Sequence, residues 1–284
     1  MRRSSAVKGV AIAVLVVVCA SIWYVLLSSA RGERLTVSFL DVGQGDAIFI
    51  RAPSGRQMLI DGGKGSSVLR KLAEVMPWYD RSIDVVVATH PDADHIGGLI
   101  DVLDRYEVSM IVRSSVEGDT QMWRVLLDRI EQEEAPSVIA ERGHVVDLGD
   151  GAYLEILFPD RPVPHIETNT GCTVARLVYG ETAFMLSCDS PQAIEKYLVA
   201  LDPASLKANV LKAGHHGSKT SSALVFVGFV GSEYAVISRG CDNSYGHPHQ
   251  QTLDTFAQLK IPLSDTCAEG TVTFVSDGVN VSKR

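Results

Sequence analysis

Cations are scarce in this chain: 26 Lys and Arg stand against 34 Asp and Glu, a formal net charge of −8. Three of those cations, Arg2, Arg3 and Lys8, sit at the extreme N-terminus, so the rest is more acidic still. Such a surface offers no footprint for clamping a long polyanion. Tight nucleic-acid binding by the surface alone is therefore disfavoured, but a nuclease stays open, because bound divalent ions can supply local positive charge at a scissile phosphate. Also missing are any block of five like charges, any low-complexity stretch and any internal repeat, which removes charged tails and repeat arrays. The 284 residues, 46% of them apolar, suit one sizeable globular domain plus a short extra segment.

That segment is N-terminal. From Gly9 to Leu27 no residue is charged, a run long enough to cross a bilayer as one helix. Trp23 and Tyr24 lie near its far end, where interface aromatics belong. With Arg2, Arg3 and Lys8 ahead of the run, the positive-inside rule keeps the N-terminus cytoplasmic. Residues 1–30 are thus expected to form a single-pass anchor in the cell membrane, and 31–284 an extracytoplasmic catalytic domain. The competing expectation is a signal peptide cleaved after Ala30, within Ser28-Ser29-Ala30, releasing a secreted domain. Cys19, preceded by Val18, is expected to pack in the apolar run rather than carry a lipid.

The rest reads as two runs of strands, each followed by helix-strand alternation. Leu35–Val42, 47–51 and Gln57–Ile60 are expected strands, followed by a helix capped by Ser66 or Ser67 and ended by Pro77. Residues 84–88 form a buried strand, 99–106 a helix, and 119–133 a third amphipathic helix. The second run begins with strands at 145–148 and 153–158. A hairpin turning at Gly180-Glu181 joins 172–179 to 182–187, a helix follows near 191–200, and a strand runs from Asn209 to Lys212. Two strand runs backed by helices fit an αββα sandwich with its site along one edge. The hairpin puts Cys172 nearly opposite Cys188 and predicts a disulfide there, with Cys241–Cys267 a weaker second pair and free thiols the alternative.

Chemistry concentrates in His90-Pro91-Asp92-Ala93-Asp94-His95-Ile96-Gly97-Gly98, directly after Val85-Val86-Val87-Ala88. Imidazole and carboxylate in one tight loop suit Zn²⁺, Mn²⁺ or Fe, and alternate residues can face adjacent ions. A solvated acidic turn explains Asp92 and Asp94 but neither the flanking histidines nor the glycine pair. His215 and His216 follow another apolar strand between glycines. Tyr245-Gly246-His247-Pro248-His249 opens a helix, whose free N–H groups favour an anion such as phosphate. His247 is expected there as a substrate-binding or general-acid residue, with His249 beside it.

The His90–Gly98 loop resembles the metal-binding loop of the metallo-β-lactamase fold superfamily, with Asp92 where many members carry His. That variant resembles one branch, the hydrolase domain of the ComEC DNA-uptake proteins and their stand-alone relatives. Three further segments, Phe39–Ala47, Leu211–Ser218 and Asn243–His249, resemble the same branch in the same order. The resemblance implies an αββα metallo-β-lactamase sandwich and a centre of two divalent ions, Mn²⁺ or Zn²⁺. The implied reaction is phosphodiester hydrolysis, with DNA the expected substrate and a metal-bridging hydroxide the attacking group. It assigns His90, Asp92, Asp94, His95, Asp189 and His215 to the metals, Asp189 as the bridging carboxylate, although Asp189 also suits a helix N-cap. Asp94, His216 and His247 become the catalytic set. Asp61 orients a metal-loop histidine from behind, and Asn169, Ser218 and His249 meet substrate, with Lys219 near them.

In one respect the sequence departs from the superfamily. Between the metal loop and Asp189 only His144 and His165 occur, neither in a recognisable motif. The first metal position is then oxygen-rich, which favours Mn²⁺ or Mg²⁺ over Zn²⁺. A lactamase-like hydrolase of amide or ester bonds and a non-catalytic binding module remain the alternatives, and no protein partner is identifiable. A single span could not form a DNA-conducting channel.

Overall fold

The computed structural model describes residues 2–29 and 34–284. Helix α1 (Arg2–Ser29) precedes a first run of β1 (Leu35–Phe39), β2 (Ile48–Arg51), β3 (Gln57–Ile60), α2 (Ser67–Val75), β4 (Ser82–Ala88), α3 (Ala93–Leu103), β5 (Glu107–Arg113), α4 (Gln121–Gln132) and β6 (Ser137–Ile139). The second run comprises β7 (Val145–Gly149), β8 (Ala152–Phe158), β9 (Val174–Tyr179), β10 (Thr182–Leu186), α5 (Gln192–Leu201), β11 (Val210–Lys212), α6 (Leu224–Val230), β12 (Tyr234–Ile237), α7 (Gln250–Gln258), β13 (Leu263–Asp265) and α8 (Thr266–Glu269). Two last strands, β14 (Val272–Ser276) and β15 (Val281–Lys283), close the chain.

Side-chain alternation explains the layering. Along β2 and β3, Ile48, Ile50, Met58 and Ile60 enter one core while Phe49 and Leu59 enter another, so this sheet is apolar on both faces and needs cover on both. Helices α2, α3 and α4 cover its outer face with Val68, Leu72, Ile96, Leu99, Trp123 and Leu126. A second sheet covers the inner face, and α5, α6 and α7 back that sheet with Leu198, Phe226, Val227 and Phe256. The result is the expected αββα sandwich. The strand orders are β15-β14-β1-β2-β3-β4-β5-β6 and β13-β12-β11-β10-β9-β8-β7. Phe274 on β14 packs edge-on against Phe39 at 6.2 Å and Phe184 at 6.4 Å, tying the two sheets together.

Three expectations need correction. First, among the described residues no helix is long and apolar enough to cross a membrane, which overturns the single-pass anchor and the localisation built on it. The proposed cleavage after Ala30 lies outside the described residues.

Second, α3 begins at Ala93 rather than near Leu99, so Asp94 and His95 lie on its first turn. The glycine pair makes this possible: a Cβ on Gly98 would sit 2.0 Å from the Gly62 carbonyl oxygen, and one on Gly97 2.2 Å from that of Lys64. Without side chains there, the helix packs directly against the loop leaving β3.

Third, Cys172 and Cys188 are free thiols, and the disulfide is Cys241–Cys267. The hairpin has the expected register, Tyr179 opposite Thr182 and Ala175 opposite Leu186, but pairing of β9 with β10 ends before either cysteine. Cys188 then turns into the left-handed region, at φ 51°. Its thiol faces His90 Nδ1 at 3.3 Å.

Candidate metal centre

Strands β3 and β4 run parallel, as do β10, β11 and β12, so the loops after each group emerge together at one edge. Asp61 leaves β3 at φ 57°, and Thr89-His90 leaves β4. Asp189 follows β10. His215 and His216 occupy the turn after β11, both left-handed at φ 50° and 54°. Asp46 comes from the β1–β2 loop, where Gly45 allows close approach to α3: the Asp46 amide donates to the Asp94 carbonyl at 3.2 Å.

These residues converge. Asp189 Oδ2 lies 3.3 Å from His95 Nε2, 3.2 Å from His216 Nε2 and 3.7 Å from His215 Nε2. His216 Nε2 is also 3.3 Å from Asp94 Oδ2, and His90 Nε2 is 3.6 Å from Asp92 Oδ2. The Nε2 atoms of His90, His95 and His216 are buried with no hydrogen-bond partner. Buried polar nitrogens without a partner cost free energy unless something satisfies them. Donor atoms of Asp94, His95 and His216 lie within 4.8 Å of one another, as do those of Asp46, Asp189 and His216. Orphaned imidazole nitrogens facing carboxylate oxygens fit divalent metal ions.

Each histidine is oriented from behind. Asp61 Oδ2 faces His95 Nδ1 at 2.7 Å while accepting from the Thr89 hydroxyl at 2.7 Å, and its Oδ1 accepts from the Thr89 amide at 2.9 Å. His216 Nδ1 donates to the Ser238 carbonyl at 2.9 Å, with Asp46 Oδ1 3.5 Å away. These contacts fix the tautomer that leaves Nε2 free for a ligand. Lys212, 1% exposed, pairs with Asp46, lies 3.5 Å from Asp189 Oδ1 and donates to the Cys188 carbonyl at 3.3 Å.

The electrostatics follow from this crowding. Burial alone would depress the His95 and His216 imidazoles; Asp189 with Asp61 around His95, and Asp189 with Asp46 around His216, outweigh it and raise both well above 6.5. Burial would conversely raise Asp46, but Lys212 and His216 hold it down at about 2. Burial, then His215 and His216, push His247 down to about 4. His247 is therefore neutral at neutral pH, which suits a hydrogen-bonding group or proton acceptor rather than a stored acid.

A cavity of 130 Å³ opens above the cluster, lined by Asp92, Asp94, Asp189, His215, His216 and His247, with Gln44 and Tyr245. Of the two adjacent histidines, His216 is the one enclosed by Asp94 and Asp189; His215 is a quarter exposed, and its Nδ1 faces the Thr220 hydroxyl at 3.2 Å. Both imidazoles thus face Asp189, His216 from inside the cluster and His215 from its rim. Ser218 and His249 do not line the cavity. The Ser218 hydroxyl pairs with Thr220 at 2.9 Å, and His249 Nδ1 accepts from the Lys219 amide at 3.3 Å. Asn169 sits in the loop after Thr168, outside the cavity, its Oδ1 buried without a partner. His144 faces the Ile139 carbonyl and His165 faces Glu117, so neither reaches the centre.

Asp46 and Lys212 were not among the expected site residues. The signal was present: Lys212 is a lone charge ending the apolar strand Val210-Leu211, and a buried charge demands a buried partner.

The chain belongs to the metallo-β-lactamase superfamily, whose family model matches residues 40–240. Within it the protein is a ComEC-like member with the superfamily's metal-dependent hydrolase fold. It is 28% identical over 283 residues to ComE operon protein 3 of Bacillus subtilis (strain 168), covering 90% of this chain and 35% of that one. It is 30% identical over 246 residues to competence protein ComA of Neisseria gonorrhoeae, covering 85% of this chain and 32% of that one. The chain thus spans about a third of the length of these relatives. Among solved structures its fold is similar to that of CmlA, a diiron β-hydroxylase from Streptomyces venezuelae, with TM-score 0.53 and 12% identity over 81% of this chain and 52% of that one.

Proposed function

We propose that the protein is a metal-dependent phosphodiesterase acting on DNA or a related phosphodiester. The observation that carries this reading is the convergence of the orphaned His95 and His216 Nε2 atoms on Asp189 Oδ2, at 3.3 and 3.2 Å, with His90 and Asp92 alongside. His90 and Asp92 would hold one ion and Asp94, His95 and His216 a second, with Asp189 shared between them. Divalent ions held there would supply water activation and positive charge at the scissile phosphate, which a net charge of −8 does not otherwise provide. The protein's own groups do the rest. Asp61 and the Ser238 carbonyl hold the imidazoles in register, Lys212 fixes the second oxygen of Asp189, and neutral His247 meets the substrate across the cavity. The resemblance of its motifs to the hydrolase domain of the ComEC DNA-uptake proteins supports a DNA substrate.

Assigning His95 to the second ion leaves His90, Asp92 and the shared Asp189 at the first position, an oxygen-rich set that favours Mn²⁺ over Zn²⁺. One observation favours a second reading. The hollow beside Asp92 carries Glu117, Asp119 and Glu167, an environment more hospitable to a neutral amide or ester than to a phosphate chain. The discriminating experiment is a substrate panel with the Mn²⁺-loaded and the Zn²⁺-loaded protein: single-stranded oligonucleotide, bis(p-nitrophenyl) phosphate, a β-lactam and an aryl ester. Cleavage of the phosphodiesters, faster with Mn²⁺, is expected. Turnover of amide or ester alone would overturn the assignment.

A further inference from the structure

Two parts of the cavity lining differ in kind. On the Asp92 side the cleft continues into a hollow of 530 Å³ whose lining includes Glu117, Asp119 and Glu167 and no lysine or arginine. A phosphate chain is repelled there. The other part is aromatic. The Tyr245 ring lies over His247 at 5.6 Å and 22°, and His247 in turn meets His215 at 5.6 Å and His249 at 5.1 Å.

Tyr245 is 62% exposed, and its hydroxyl has no hydrogen-bond partner among the described residues. The ring lines the cavity beside His247. Yet the loop that carries it is firmly held. Asn243 Nδ2 donates to the Gly240 carbonyl at 2.8 Å and to the His247 carbonyl at 2.9 Å, while Asn243 Oδ1 accepts from the His247 amide at 2.9 Å. Gly246, at φ 74°, supplies the left-handed residue that the turn between Tyr245 and His247 requires. A pre-organised aromatic with one free face costs little to order when a planar partner binds.

We infer that Tyr245 is a specificity-determining residue that stacks on an aromatic ring of the substrate beside the scissile phosphate, so that a nucleoside phosphodiester is preferred to a base-free one. The inference rests on the phosphodiesterase assignment above and deepens it. The charge asymmetry fixes the side: the acidic hollow repels the phosphate chain, and the Tyr245 ledge receives the base. Stacking of one base on one aromatic ring corresponds to a factor of about 5 to 150 in binding.

The test uses the full chain loaded with Mn²⁺ and two substrates of equal length, oligothymidylate and an abasic oligodeoxynucleotide. Wild type should cleave both and favour oligothymidylate. In Y245A the ratio of the two kcat/KM values should collapse by about 5- to 150-fold, chiefly through KM for oligothymidylate, and Y245F should restore it. Equal cleavage of both substrates by wild type, or an unchanged ratio in Y245A, overturns the role of Tyr245 while leaving the phosphodiesterase assignment standing. A Y245F variant that behaves like Y245A overturns stacking in favour of a hydroxyl contact. Cleavage of neither substrate overturns the assignment itself and the inference with it.

Discussion

Asp61→Asn keeps the shape of a fully buried side chain and removes its charge. In the native site the Asp61 carboxylate accepts from the Thr89 amide at 2.9 Å and the Thr89 hydroxyl at 2.7 Å, and faces His95 Nδ1 at 2.7 Å. An asparagine oxygen can keep the Thr89 amide. Its NH₂ group then faces His95, whose Nδ1 must become an acceptor. The imidazole proton moves to Nε2, the atom 3.3 Å from Asp189 whose lone pair a divalent ion needs. The backbone gives no competing effect, because Asn tolerates the left-handed φ of 57° at this position. Loss of such an outer partner weakens metal binding about 10- to 100-fold, which is about 1.4–2.8 kcal/mol. Chelator-competition titration with Mn²⁺, run beside circular dichroism to confirm folding, reads this directly. A folded D61N protein with wild-type metal affinity would refute the role of Asp61.

Three other expectations follow from the same geometry. In the metal-free protein, His95 and His216 are raised above 6.5 by their carboxylate neighbours, so their ion pairs contribute stability that is full below about 6.5 and is lost as pH rises through the folded values. The thermal midpoint of the metal-free form should therefore fall through the alkaline range, and metal uptake should release protons; a flat profile contradicts this. His247→Ala should leave metal content unchanged and lower kcat by roughly 10²- to 10⁴-fold, as measured by elemental analysis beside steady-state kinetics, and loss of metal would place His247 among the ligands instead. Peptide mapping without reductant should recover Cys241 joined to Cys267, with Cys172 and Cys188 alkylated only after unfolding; a Cys172–Cys188 peptide would contradict the structure.

Much of the fold was legible because local pattern and tertiary demand agree. Gln57–Ile60 is a strand with the bounds expected from its apolar run and flanking turn, and the β9–β10 register follows from Gly180-Glu181. The start of α3 was not legible. Gly97-Gly98 reads locally as helix-breaking, and only the contact with Gly62 and Lys64, brought by a distant loop, explains why helix wins. Strands β14 and β15 were also missed, since their partners lie at the other end of the chain: β14 pairs with β1, Val37 opposite Phe274. In the site, residue types in the His90–Gly98 loop announced a metal centre. The different burial of His215 and His216 could not be read, because it depends on two successive left-handed residues turning His216 inward to Ser238. The Cys172–Cys188 disulfide expected from the hairpin register is absent, and β9–β10 pairing ends at Ala175 and Leu186, short of both cysteines.

The most direct test of the metal centre is anomalous diffraction from crystals of the protein grown with Mn²⁺. Two peaks are expected, one ligated by Asp94, His95 and His216 and one by His90 and Asp92, with Asp189 touching both. A peak ligated by His215 with His216 left unligated, or no ordered ion at this cluster in crystals that bind Mn²⁺ elsewhere, would contradict it.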